Sequence, residues 1–387
     1  MRLLKNWRPL SLLNTDYKIL TKLLAIRLQK VLPSIISEDQ TGYIKGRYIG
    51  ENIRTILDVF EYTNNQVNPG AMIFLDFEKA FDTVSWDFLL KALKKFNFGE
   101  NFIKWIKVIY NKPLCCVTNN GYASRFFEIS RGIRQGCPIS ALLFIIVAEI
   151  MSVNLRTDAN IQGLIINNKE LKLSQLADDT TIFLRNVTST ERVFAFLKHF
   201  HRCAGLKLNM DKTEGIVLGR TVFDQTYKHG IKWVKGPVKV LGIWVGKDTN
   251  EVIDKNFDLK VEKLKVLLNM WKQRNLSIKG KITLLRSQAL PLILYPCAVL
   301  FIPDYVLKEI DQLFFDFLWP RQKHHVKKQV IIQSIEEGGL KMPDIFSMIK
   351  AVKIMWIKRL TSQNNNFTNM AKAITNISDF SSFCIYK

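Results

Sequence analysis

The sequence predicts an α+β fold, a sheet covered on one face by helices and followed by a helical segment. Three observations carry that expectation. Short apolar runs bounded by turn residues alternate with helical periodicity as far as Leu218. Beyond Gly219 the alternation gives way to a helical, basic chain. Aspartates also close two of the predicted strands: Asp76 ends Ala71-Met72-Ile73-Phe74-Leu75, and Asp178-Asp179 lie at the tip of a strand–turn–strand over 173–177 and 180–184.

The elements follow in order. Residues 17–32 read as a basic amphipathic helix, with Leu20, Leu23, Leu24, Leu28 and Val31 at helical spacing, ending near Pro33. A basic, glycine-bearing loop over 37–50 leads to a helix over 51–63 and a polar turn over 64–70, ahead of the first strand. Helices are predicted over 86–96 and 101–110. A hairpin of 114–118 and 125–129 turns at Asn119-Asn120-Gly121, residues that tolerate positive φ. The loop over 132–138 precedes a mostly apolar helix over 139–156, and a short hairpin around Asn167-Asn168 leads into the aspartate turn. A helix over 190–204 and strands over 206–208 and 215–218 complete this part. A hairpin arm is predicted over 238–245, helix over 254–295, and further helices over 304–360 interrupted by Glu336-Glu337-Gly338-Gly339. Residues 363–387 are polar, lack a clear period and are expected to be poorly ordered.

The 387 residues are enough for a substantial core and two or three lobes. The formal net charge of +22 is shared almost equally between residues 1–220 and 221–387, so the excess belongs to the folded body. Such a body suits a polyanion, nucleic acid ahead of an acidic membrane. The six cysteines (Cys115, Cys116, Cys137, Cys203, Cys297, Cys384) contain no Cys-x-x-Cys. On a helix His199 and Cys203 could share a face while His201 points away, which argues against zinc. This cysteine usage fits a reducing compartment. The longest apolar stretch, 289–303, is broken by Pro291 and Pro296 and is too short to span a bilayer; the N-terminus lacks a signal-peptide pattern. The expectation is a soluble, intracellular chain, with no membrane partner and no choice made between nucleus and cytoplasm.

Clustered acids at strand ends are costly to desolvate, and bound divalent metal relieves that cost. Asp76, Asp178 and Asp179 would supply carboxylate oxygens and Phe77 a backbone carbonyl, a donor set for two Mg²⁺ ions, or Mn²⁺, in phosphoryl transfer. Alone, Asp178-Asp179 is equally the mark of a solvated turn. If the chain turns back after the strand, the Phe81 ring would approach a sugar near Asp76 and exclude a 2′-hydroxyl; otherwise it is a core phenylalanine. Arg131-Gly132-Ile133-Arg134-Gln135-Gly136-Cys137-Pro138 brings glycines and arginines to a helix start, suited to anions or to a tight turn. Arg47, in Gln40-Thr41-Gly42-Tyr43-Ile44-Lys45-Gly46-Arg47, suits triphosphate oxygens, and Lys212 suits a general acid for departing pyrophosphate; each is equally a surface cation. Lys260, Lys263, Lys272, Arg274, Lys279, Lys281 and Arg286 lie in a helical stretch whose lopsided charge favours a duplex-gripping surface over a solvated face.

Together these segments resemble the reverse transcriptases of non-LTR retrotransposons, the long-interspersed-element class. The resemblance rests on ordered pieces along nearly the whole chain: Asn6-Trp7-Arg8-Pro9-Leu10-Ser11-Leu12-Leu13-Asn14, the 40–47 loop, and Phe74-Leu75-Asp76-Phe77-Glu78-Lys79-Ala80-Phe81-Asp82. Residues 132–143, Leu176-Ala177-Asp178-Asp179, residues 205–213, Val240-Leu241-Gly242-Ile243 and Gly338-Gly339-Leu340-Lys341-Met342-Pro343-Asp344 continue the series. It implies a right-hand polymerase: fingers over 1–70, a palm with an antiparallel sheet backed by helices over 71–246, a helical thumb over 247–300 and a helical extension over 301–387. It also implies RNA-directed DNA synthesis from an RNA template, a DNA primer and deoxynucleoside triphosphates. In that scheme Asp76, Asp178 and Asp179 match the metal triad and Phe81 the steric gate. Gln135 and Gly136 match the template and nucleotide loop, Arg47 the triphosphate residue, Lys212 the acid, and 240–245 the primer grip. Leu176 departs from the aromatic usual before Ala-Asp-Asp, a change expected to touch the primer end rather than metal binding. Neither an upstream endonuclease nor a downstream Cys/His knuckle is expected within this chain. Two further readings are an RNA-dependent RNA polymerase, which Phe81 disfavours, and an inactive truncated copy acting as an RNA-binding or maturase-like protein.

Overall fold

The computed structural model describes residues 11–67, 69–220, 230–319, 326–362 and 366–375. Residues 6–10 of the first motif, and the parts of 363–387 other than 366–375, lie outside the described residues. The chain divides into two compact units, residues 1–52 with 61–235 and residues 53–60 with 236–387.

The first unit opens with helix α1 (Thr15–Ile35), which buries Leu24, Ala25, Leu28 and Leu32 as one stripe. It runs through Pro33 instead of ending there, because proline in the last turn sacrifices one bond and Ile36 N–H still closes on Leu32 O at 2.9 Å. Helix α2 (Ile49–Thr63), whose residues 53–60 are counted with the second unit, leads to strand β1 (Ala71–Leu75), buried along its whole length. Next come the single turn α3 (Ala80–Thr83) and helices α4 (Trp86–Lys95) and α5 (Glu100–Ile109); α4 is capped by the Ser85 side chain. The predicted hairpin forms as two ladders, β2 (Leu114–Cys115) with β5 (Phe127–Glu128) and β3 (Thr118–Asn119) with β4 (Tyr122–Ala123), turning at Asn120 and Gly121, both at positive φ.

Helix α6 (Ser140–Thr157) and, against the expectation for the apolar stretch near 289–303, the helical run Ile278–Val299 are each long and apolar enough to cross a membrane, yet more than half of each is buried, as in core helices. Strands β6 (Leu164–Ile166), β7 (Lys169–Leu171), β8 (Leu173–Leu176) and β9 (Asp179–Leu184) precede helix α7 (Val187–Ala204) and strands β10 (Glu214–Val217) and β11 (Lys232–Trp233). The main sheet has the order β11-β10-β1-β9-β8, antiparallel except for the parallel edge strand β11. The strand expected over 206–208 is reduced to one bridge, Leu208 to Phe77, while α3 and β11 carry no periodicity that announces them. Helices α1, α4, α6 and α7 pack with the sheet into one core that includes Ile73, Leu89, Phe144, Ile182 and Phe200.

The second unit contains the hairpin β12 (Val238–Val240) and β13 (Ile243–Val245), then helix α8 (Thr249–Lys272). Helix α9 (Ile278–Leu284) passes through a π-helical turn (Leu285–Ala289) into α10 (Leu290–Val299). The helix expected over 254–295 is thus interrupted at 273–277, where Ser277 starts α9 by accepting from Gly280 N–H. Helices α11 (Asp304–Leu318), α12 (Lys328–Ile332), α13 (Ile345–Ser362) and α14 (Asn366–Thr375) follow, α14 falling where no clear period is visible. The core of this unit gathers Phe257, Leu264, Leu285, Ile293, Phe314 and Phe317.

Candidate active site

Strand register brings two of the acids together. Leu75 of β1 pairs with Thr180 of β9, so one further step sets Asp76 opposite Asp179. Opposed residues of antiparallel strands stand about 4.5–5.5 Å apart at Cα, with side chains on one face. Leu176 and Asp179 are the last pair of the β8–β9 hairpin, which leaves Ala177 and Asp178 as its two-residue turn. Asp76 and Asp178 are half-buried and Asp179 is exposed.

The segment before β10 brackets Asp76. Asn209 donates from its backbone N–H to Asp76 O at 2.7 Å and from Nδ2 to Asp76 Oδ2 at 2.9 Å. Thr213 Oγ1 accepts from the Asp76 N–H at 3.4 Å. The Phe77–Leu208 bridge is made by Glu78 N–H to Lys207 O and Asn209 N–H to Asp76 O. The Phe77 carbonyl takes no part in it and, by strand alternation, faces the β9 side. Nothing in sequence spacing singles out Asn209 except its polar, turn-forming setting ahead of a strand.

Among the described residues no group of three His, Cys, Asp or Glu side chains is arranged to hold a metal ion. The strand register sets the acids at one end of the sheet, and Asn209 holds one oxygen of Asp76. The donor chemistry fits a hard cation, since three carboxylates and a carbonyl offer oxygen only.

The turn carrying Asp178 is strained. Ala177 has φ 57° at the first central position, where glycine is usual in a type II′ turn. Positive φ in a residue with a Cβ costs on the order of 1–3 kcal/mol and persists only where its surroundings over-determine it. A buried polar network lies beneath it. Asn52 Nδ2 donates to Ser174 Oγ at 2.8 Å and Gln175 O at 2.9 Å, and Gln175 Nε2 donates to Thr180 Oγ1 at 2.9 Å.

Phe81 sits in α3, half-buried, its ring stacked on that of Phe144 with centroids 4.3 Å apart. The loop over 132–133 holds α3 in place: Gly132 N–H donates to Val84 O at 2.8 Å, Ile133 N–H to Phe81 O at 2.6 Å, and Trp86 Nε1 to Gly132 O at 2.7 Å. A Cβ on Gly132 would stand 2.6 Å from Asp82 O, so the close approach requires glycine. Gln135 Nε2 donates to Asp82 Oδ1 at 3.3 Å, which puts the glycine loop beside α3. Gly136 is exposed at φ 95°. The Arg134 guanidinium lies over the Tyr17 ring at 5.0 Å and the Tyr110 ring at 6.0 Å, a packing role that the sequence leaves unmarked.

One candidate is placed differently from expectation. Arg47 donates from Nη1 to Ser37 O and Gln40 O and from Nη2 to Ile36 O at 2.8 Å. It thus caps the chain leaving α1 instead of standing open to a triphosphate, and burial lowers its pKa. Arg47→Ala is expected to cost roughly 2–3 kcal/mol in urea unfolding, because three carbonyls lose a charged donor. Arg47→Lys should recover little, since one ammonium cannot reproduce the planar fork. Lys212 is exposed in the turn before β10, where its backbone N–H donates to Asn209 O at 3.3 Å.

In the second unit Lys263, Lys272, Arg274, Lys279 and Arg286 are exposed, as a phosphate-facing set requires. Arg274 lies over Trp271 at 5.3 Å. Lys260 is half-buried, and burial, then Lys263 and Lys239, lower its pKa. Lys281 departs from the expected surface: its Nζ donates to Leu318 O at 3.0 Å, capping α11.

The family described as reverse transcriptase (RNA-dependent DNA polymerase) matches residues 3–245. The chain is 30% identical over 365 residues to the transposon TX1 uncharacterized 149 kDa protein of Xenopus laevis, covering 93% of this chain and 28% of that protein. It is 24% identical over 364 residues to the retrovirus-related Pol polyprotein from type-1 retrotransposable element R2 of Popillia japonica, covering 90% of this chain and 50% of that one. The chain thus spans half or less of these relatives' length. Among solved structures, apo telomerase from Candida tropicalis aligns with a TM-score of 0.46 at 14% identity, over 92% of this chain and 61% of that one.

Proposed function

Since this chain belongs to the reverse transcriptase family, we propose that it is the polymerase segment of a non-LTR retrotransposon. Its reaction would extend a primer 3′-hydroxyl with deoxynucleoside triphosphates on an RNA template. The observation that carries this reading is the β1–β9 register, which sets Asp76 opposite Asp179 at the turn holding Asp178. Asp76, Asp178 and Asp179, with the Phe77 carbonyl, would hold a pair of Mg²⁺ ions that activate the attacking hydroxyl and neutralise the triphosphate.

The chain's own groups would do the rest. Asn209 holds the Asp76 carboxylate and Thr213 its backbone N–H, so Asp76 would offer its oxygens to an ion from a fixed position. Phe81, backed by Phe144, would wall the sugar pocket against a 2′-hydroxyl. Gln135 and Gly136 would steady template and incoming nucleotide beside Asp82. Lys212, exposed near Asn209, would protonate departing pyrophosphate. Lys260, Lys263, Lys272, Arg274, Lys279 and Arg286 would grip the duplex backbone. An intracellular setting is supported by five free thiols among the described cysteines.

Primer extension comparing RNA and DNA templates, each with deoxy- and ribonucleotides, tests this function. Deoxynucleotide incorporation on RNA is the expected result, and a ribonucleotide preference would replace it with RNA synthesis. The net charge of +22 also suits one other reading, RNA binding without synthesis. Salt-sensitive RNA binding with no incorporation in either nucleotide series would establish that alternative.

A further inference from the structure

We propose that Gln40 is a positioning residue whose buried amide holds Ala177 at positive φ and so aims Asp178 and Asp179. The consequence for synthesis rests on the polymerase reading above; the contact itself does not. Gln40 is 1% exposed. Its Oε1 accepts from Ala177 N–H at 2.7 Å and Gly42 N–H at 2.9 Å, and its Nε2 donates to Ala177 O at 3.3 Å. One side chain thus grips both the donor and the acceptor of the residue that turns the chain into the two aspartates.

The surroundings make this grip stiff. Gln40 and Gln175 form a parallel bridge, with Gln175 N–H donating to Asp39 O at 2.8 Å and Thr41 N–H to Gln175 O at 2.9 Å. This one bridge lays the loop over 39–42 against β8, and the Gln40 amide continues the pairing two residues further, from Gln175 to Ala177 in the turn. Arg156 anchors Asp39 from α6 at 3.1 Å while also binding the buried Glu149. The approach depends on Gly42, where a Cβ would stand 2.6 Å from Ala177 N.

Glutamine alone among the side chains of this size fits. Both Oε1 lone pairs are used and an amide hydrogen is needed for Ala177 O. Glutamate would bring a buried charge and no donor, asparagine is one methylene short, and methionine has the length without the polarity. A turn that would normally take glycine can then hold alanine, because the amide supplies the constraint that alanine resists.

The test uses Gln40→Met, Ala177→Gly and their combination. Hydrogen exchange followed on a peptide spanning 173–180 reads the contact without any metal or substrate. In Gln40→Met, exchange at this peptide should rise about tenfold or more, as its buried acceptor is lost. In primer extension the same variant should lose about 10–100-fold in kcat, with KM for the primer–template unchanged. Ala177→Gly should restore most of that loss, since glycine adopts the turn unaided; a merely destabilised fold would not be rescued. Should Gln40→Met fail to fold, Gln40→Asn carries the same measurements. Unchanged exchange at 173–180, or a double variant no faster than Gln40→Met alone, overturns the proposal. A wild-type chain that protects this peptide through Gln40 yet extends no primer refutes the polymerase reading and leaves the clamp standing.

Discussion

Asp178→Ala should lower primer extension by about 10³-fold or more, the cost of removing several kcal/mol of transition-state stabilisation. The side chain is half-buried at the end of a two-residue turn, so its loss removes little packing. Asp178→Asn keeps the shape and one oxygen but not the charge, and should fall nearly as far. Melting temperature should fall by no more than about 4 °C in either variant, the shift that about 1 kcal/mol makes in a protein of this size. A large loss of activity beside a small loss of stability is the mark of a residue kept for chemistry. Extension at the wild-type rate in Asp178→Ala would remove the metal assignment altogether.

The second large effect is on the sugar. Phe81→Ala should raise ribonucleotide use relative to deoxynucleotide use by about 10²-fold, read as the ratio of kcat/KM values in parallel extension reactions. The wall is a stacked pair, since the Phe81 ring rests on Phe144 at 4.3 Å and 19°. Phe144→Leu should therefore relax discrimination in the same direction, by less, because a smaller support lets the gate ring recede. Unchanged discrimination in Phe81→Ala would assign the ring to the core alone.

Most elements of the first unit announce themselves because their periodicity is local. Strand β1 is a continuous apolar run, and the turns at Asn120-Gly121 and Asn167-Asn168 use residues that accept positive φ. The three acids proposed to hold metal stand out in the sequence for a similar reason: an acid at the end of an apolar run is costly to desolvate unless a cation meets it. Polar side chains that work across long sequence separations are harder. Gln40 and Ala177 are 137 residues apart, and nothing in either segment names the other. Arg47 shows the converse ambiguity, because a guanidinium that binds phosphate and one that caps a helix are the same residue in a basic loop. Short elements such as α3 and β11 fall below the length at which a period can be seen.

The place of β1 at the middle of its sheet has a bearing on how the chain is made. Its two partners, β9 and β10, lie more than a hundred residues downstream, so a nascent chain paused after β1 has nothing to pair it with. Such high contact order implies slow acquisition of structure and a long interval in which α6 is bare, a natural target for chaperones and a route to aggregation. Expression fragments that stop short of Val217 should accumulate in inclusion bodies, whereas those that retain β10 can close the sheet on both flanks.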